Sequence, residues 1–161
     1  MLIIITGVSG VGKTTIGKLL SENMGWTFYD GDDYHTDVNL DKMRHGTPLT
    51  DDDRWPWLNA LRTTISEIVL HEKDAVLSCS ALKESYRMRL GSGLKDIVFV
   101  YLRGDYQLVR NRISARVGHF MSSDLLVSQY SDLEEPQNGI IVDAALEPME
   151  IINYLKRALS L

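Results

Sequence analysis

A glycine-rich run carrying a lysine and a hydroxyl at fixed spacing stands near the start of the chain: Gly7, Val8, Ser9, Gly10, Val11, Gly12, Lys13, Thr14 and Thr15. Gly7-x-x-x-x-Gly12-Lys13-Thr14 has the spacing of a phosphate-binding loop. Its glycines let backbone N–H groups turn inward around a polyphosphate, while Lys13 bridges the β- and γ-phosphates and the Thr14 hydroxyl holds Mg²⁺. Leu2 to Ile5, three of them β-branched, read as a buried parallel strand before the loop. Gly17, Leu19 and Leu20 continue as a helix after it, closed by Asn23 and Gly25. A chance glycine turn is not bracketed in this way, so the run implies a nucleoside triphosphate.

Transfer of a phosphoryl group to a hydroxyl needs a base, because an alcohol holds its proton tightly at neutral pH. The second expected strand, Trp26 to Tyr29, ends at Asp30-Gly31-Asp32-Asp33, and ligands of open α/β sheets gather beyond such carboxyl ends. The third strand ends in Ser78-Cys79-Ser80 and has no aspartate to order a metal ion. Asp30 and Asp32 are therefore candidates both for the water shell of Mg²⁺ and for the base, with Asp32 preferred as the base. The competing reading is that these aspartates only make a turn and cap the next helix.

Other polar side chains cluster by position. Arg112 and Arg116, four apart, border the stripe formed by Tyr106, Val109 and Ile113, and arginines there could close over the phosphates. Surface ion pairing is their alternative. Lys83 and Arg54 could hold an anionic acceptor, although Arg54 could instead pair with Asp51. His35 and His45 flank a short helix without metal-ligand spacing, which favours hydrogen bonding, and His119 could touch nucleotide or acceptor. Trp55, Trp57 and Leu58 read as anchors to the sheet, Cys79 as a buried strand residue, and His71 as solvated.

Five strands alternating with helices predict a three-layer α/β sandwich around a parallel sheet. After the second strand come a short helix over 37–45, a turn at Gly46 to Pro48, and a helix from about Trp55 to His71. Asp52 or Asp53 is expected to cap the latter, with Pro56 in its first turn. Further helices are expected over 82–90, 106–117, 123–130 and 149–159, with strands at 75–80, 97–102 and 140–143. Two excursions interrupt the alternation: residues 34–58 as an acceptor-binding segment, and 118–136 as a short lid. At 161 residues the chain reads as one domain, with 44% hydrophobic and 24% charged residues. A net charge of −5 argues against nucleic acid or an anionic membrane as partner, and no apolar run approaches the ~18 residues of a span. A strand beginning at residue 2 leaves no room for a signal peptide, and a single cysteine fits a reducing, cytoplasmic setting.

The blocks beyond the phosphate loop resemble those of the gluconokinase family. They are Asp30-Gly-Asp-Asp-Tyr-His35, Lys42-Met-x-x-Gly46-x-Pro-Leu49, Asp51-x-Asp-Arg54-x-Pro-Trp-Leu58 and Cys79-Ser-Ala-Leu-Lys83 with Tyr86-Arg87. Arg112-x-x-x-Arg116-x-Gly-His-Phe120, Gln129 and Leu133-Glu-x-Pro136 continue the match, so the resemblance spans nearly the whole chain. It implies a nucleoside-monophosphate-kinase-like P-loop NTPase fold with a mobile lid, ATP and Mg²⁺ as cosubstrates, and D-gluconate phosphorylated on its 6-hydroxyl to feed the pentose phosphate pathway. Members of the family often pair as homodimers. The resemblance agrees with Lys13, Asp32, Arg112 and Arg116 as catalytic residues, and Asp32, His35, Asp51, Arg54, Lys83 and His119 could meet the acceptor. Whether Asp32 removes the proton or only orients the hydroxyl stays open. A kinase of another small hydroxy acid is the alternative; shikimate kinases share the fold, but their glycine run after the third strand is absent here. A nucleotide-dependent switch would be a different class, and the chain has no Asn-Lys-x-Asp guanine motif.

Overall fold

The computed structural model describes residues 1–115 and 123–161. Strand β1 (Leu2–Thr6) lies at the centre of a five-stranded sheet, flanked by β3 (Ala75–Ser78) and β4 (Ile97–Arg103). The edges are β2 (Thr27–Asp30) and β5 (Ile140–Asp143), giving the order β2-β3-β1-β4-β5 with every pairing parallel. All of β1 is buried because both sheet faces are covered, which explains its unbroken apolar run. Side-chain alternation splits the core in two. Ile3 and Ile5 meet Ile16 and Leu20 of α1 (Lys13–Met24) and Ile151, Ile152 and Leu155 of α7 (Pro148–Leu159). Leu2 and Ile4 face Trp57, Leu58, Leu61 and Ile65 of α3 (Asp51–Leu70) and Tyr86 and Leu90 of α4 (Glu84–Gly91). The three expected layers are therefore present. Burying each of these large side chains contributes about 1.5–3 kcal/mol, so β1 and α3 hold much of the stability.

The remaining helices are α2 (Asp37–Arg44), α5 (Tyr106–Ser114) and α6 (Ser123–Asp132). Several boundaries differ from the sequence reading. Helix α3 starts four residues before Trp55: Thr50 is its cap, and Asp53 completes a reciprocal capping box rather than acting as the cap itself. Three aspartates in the first turn suit the positive end of the helix dipole, which favours the earlier start. Pro56 accordingly lies inside the helix, where its missing N–H forgoes one backbone bond. Strand β3 stops at Ser78, and α4 begins at Glu84 rather than Leu82, because Ala81 takes a left-handed conformation (φ 37°) between them.

The stretch after β2 is more ordered than a plain turn. Gly31–Tyr34 forms a 3-10 turn whose first carbonyl accepts a 2.7 Å hydrogen bond from the buried Trp57 indole. A Cβ on Gly31 would stand 2.4 Å from the Ser78 carbonyl oxygen, so only glycine lets the turn lie this close to β3. We expect Gly31→Ala to destabilise the fold by about 1–3 kcal/mol in urea denaturation, from overpacking against backbone that cannot retreat. An unchanged midpoint would show that the turn is free to lift away.

Candidate active site

The phosphate loop spans the gap between β1 and α1. Gly12, at φ 119°, is the helix cap and contributes no side chain, so the first N–H groups of α1 stay open to an anion. Lys13, the first helical residue, donates from Nζ to the Val8 carbonyl at 3.0 Å across its own loop. Val8 and Val11 are 2% and 1% exposed and anchor the loop to the core, so they can offer only backbone to a ligand. Thr14 donates from Oγ1 to Asp30 Oδ2 at 3.1 Å. Asp30 Oδ1 accepts from Ser78 Oγ at 3.0 Å and from the Asp32 N–H at 3.2 Å. The register pairs Asp30 with Ser78, so β2 brings beside Thr14 a carboxylate that β3 lacks. A hydroxyl and a carboxylate there are hard oxygen donors, which fit Mg²⁺ that keeps most of its water.

Beyond Lys13 lies a cavity of about 460 Å³ whose polar wall includes Ser9, Lys13, Asp32, His35, Arg54 and Gln129. Leu40, Met43, Leu49 and Leu82 form much of its apolar wall. Asp32 reaches this wall from the 3-10 turn and His35 from the residue that ends it. His35 stacks on Trp57 with ring centroids 4.4 Å apart, and its Nδ1 is buried without a hydrogen-bond partner among the described residues. Burial holds its pKa below 6.5; nearby Asp32 opposes this and Arg54 adds to it.

Arg54 donates to Asp132 at 2.8 Å and to the Tyr86 hydroxyl at 3.2 Å. Burial disfavours its charge, yet the Tyr86 and Asp132 contacts outweigh that and raise its pKa. Lys83 bonds Asp51 at 2.7 Å, and the Tyr86 hydroxyl donates to the same carboxylate. These hydrogen bonds hold the Asp51 pKa below its ordinary range and lift that of Lys83. Asp51 and Lys83 are thus brought beside Arg54 but are not on the cavity wall. The pairing of Arg54 with an aspartate is realised mainly by Asp132, with Asp51 farther off at 3.9 Å.

A second cavity of about 320 Å³ shares no residue with the first and is lined by Gly10, Gly12, Thr15, Arg112, Ala144 and Pro148 among others. Arg112 was expected over the phosphates. Its guanidinium donates to the Val11 and Ala144 carbonyls, each at 2.7 Å, and so ties the loop to the residue after β5. Arg116 and His119 lie outside the described residues. Residues 123–136, the described part of the expected lid, are joined to the body at several points. Gln129 Oε1 accepts from the Ser9 N–H at 2.6 Å, and the Tyr130 hydroxyl donates to the Gly104 carbonyl at 2.7 Å. Glu134 accepts the Glu84 N–H at 2.6 Å and so caps α4 from a distance.

A family model described as an AAA domain matches residues 3–124. A probable gluconokinase of Xenopus tropicalis is 44% identical over 84% of this chain and 80% of its own length. The chain belongs to the gluconokinase family. A gluconokinase crystal structure from Sinorhizobium meliloti superposes with a TM-score of 0.85 at 40% identity, covering 98% of this chain and 90% of that one. A shikimate kinase from Aquifex aeolicus, at 18% identity and TM-score 0.63 over 99% of this chain and 96% of its own, shares the fold alone.

In this gluconokinase-family site, reasoning from residue types passed over Asp132, the nearer partner of Arg54, and Arg44, a second cation on the cavity wall. Gln129 entered only through the family resemblance. No local spacing marks any of the three: Asp132 and Gln129 bond residues distant in sequence, and Arg44 reaches the cavity wall only through the packing of α2. His35 supplies a test. As pH falls through about 6.5 the unfolded chain protonates this histidine and the folded one resists, so stability declines toward acid. Denaturation between pH 7.5 and 5 should show a shallower decline for His35→Phe, which keeps a ring on Trp57; equal slopes would mean the imidazole is not held neutral.

Proposed function

We propose that the chain transfers the γ-phosphoryl group of ATP to the 6-hydroxyl of D-gluconate, giving 6-phospho-D-gluconate and ADP. The observation that carries this is the presence of Lys13, Asp32 and Arg54 on the wall of one cavity. Lys13 then faces the terminal phosphates, Asp32 accepts or orients the hydroxyl proton, and Arg54 with Arg44 offers positive charge to the sugar-acid carboxylate. The apolar wall suits the C–H edge of the carbon chain, and His35 has a buried ring nitrogen left to hydrogen-bond. Asp51 and Lys83 serve by fixing Arg54 and its partners. Gly7 to Thr15 seat the triphosphate, with the base in the second cavity between Arg112 and Pro148. Thr14, with Asp30 through water, holds the Mg²⁺ that offsets charge on the phosphates. Arg116 and His119 keep their roles at the transferred phosphate and acceptor on sequence grounds alone. A cytoplasmic location and pairing as a homodimer belong to the same proposal.

A coupled assay with ATP, Mg²⁺ and a panel of gluconate, shikimate and glycerate tests the substrate. A far higher kcat/KM for gluconate is expected; preference for another acid, or ATP hydrolysis without acceptor dependence, would overturn it. For the base, Asp32→Asn should lower kcat about 100-fold or more while ATP affinity stays nearly unchanged. Near-normal turnover would remove Asp32 from the chemistry.

A further inference from the structure

The hydrogen bond between Ser9 and Gln129 fixes more than a helix. A backbone N–H can only donate, so the atom of the Gln129 amide toward Ser9 at 2.6 Å is the carbonyl oxygen. The amide nitrogen on the same carbon is then turned away from Ser9, with two donors and no hydrogen-bond partner among the described residues. Gln129 lines the cavity that also contains Lys13, Asp32 and Ser80. The C-terminal part of its helix is tied down by two side chains: the Tyr130 hydroxyl bonds the Gly104 carbonyl, and Asp132 pairs with Arg54. Ser9 belongs to the loop whose N–H groups surround a polyphosphate, so an amide fixed on Ser9 stands at the phosphate end of the cavity.

We propose that Gln129 donates a hydrogen bond from Nε2 to the terminal phosphoryl group of the bound nucleotide, while its Oε1 stays on the Ser9 N–H. This rests on the kinase reading of the same cavity. A donor aimed at the group being transferred stabilises the charge that spreads over its equatorial oxygens, and a fixed amide needs no reorientation to do so. The same contact distinguishes ATP from ADP, because only the triphosphate presents an oxygen there. Helix α6 would thereby report an occupied terminal position to Arg54 through Asp132, one turn along the same helix.

Two near-isosteric variants separate this role from simple capping of Ser9. Gln129→Met removes both contacts without adding charge, and Gln129→Glu keeps an acceptor for the Ser9 N–H but has no donor. Titration of each with a non-hydrolysable ATP analogue and with ADP, both with Mg²⁺, requires no acceptor, so the outcome is independent of whether gluconate is the substrate. We expect Gln129→Met to bind ADP like the wild type but the triphosphate about tenfold more weakly. Its kcat with the best acceptor should fall about 100-fold. Gln129→Glu should lose turnover at least as severely. The inference is overturned if Gln129→Met binds the triphosphate as tightly as the wild type, or loses ADP equally. It is also overturned if Gln129→Glu turns over at a near-normal rate, since capping Ser9 would then be the whole role.

Discussion

The hydrogen bond from the buried Trp57 indole to the Gly31 carbonyl joins α3 to the turn that presents Asp30 and Asp32. On one side of that turn, Gly31 lies against the β3 backbone at a distance only glycine permits. On the other, Trp57 belongs to a helix whose buried face covers β1. The carboxylates are therefore positioned by the core itself. Asp30 is engaged by Thr14, Ser78 and the Asp32 N–H together, so the loop, the central sheet and the acceptor turn meet at one side chain. A loop contact of this kind costs little entropy when its members are already held by packing.

The acceptor side is organised by charge, and the contacts there are unequal. Lys83 and Asp51 are 24% and 49% exposed, a setting in which an ion pair contributes little. Arg54 and Asp132 are 11% and 26% exposed, so their attraction is less screened and losing either partner leaves a charge half out of water. The Arg54–Asp132 pair thus attaches α6 to α3. Gln129, on the same helix, attaches α6 to the phosphate loop. One helix therefore touches both the glycine-rich loop, through Ser9, and α3, through Arg54.

Much of this was legible in residue order. The phosphate loop, the parallel sheet and the carboxylate turn after the second strand all follow from local pattern: β-branched runs, glycine spacing and an aspartate cluster at a strand end. The misplaced start of α3 shows where local rules compete. Pro56 prefers a first turn, but Thr50 and Asp53 form a capping box six and three residues before it, and the box sets the boundary. Arg112 shows a different limit. Helical spacing places it on a border of α5, but its contacts with the Val11 and Ala144 carbonyls depend on how α5 is set against the loop.

The sequence by itself determined the chemistry on offer: a phosphate-binding loop, a hydroxyl at Thr14 beside its lysine, and carboxylates at the end of the second strand. These are local properties, written in residues a few positions apart. Only the tertiary structure decided that Asp30 at the end of β2 accepts from Thr14 of α1, that Arg54 pairs with Asp132 rather than chiefly with Asp51, and that Gln129 of α6 bonds the phosphate loop. Those partners are 16, 78 and 120 positions apart, and a contact at such separation is set by the packing of whole elements, on which neighbouring residues have no bearing.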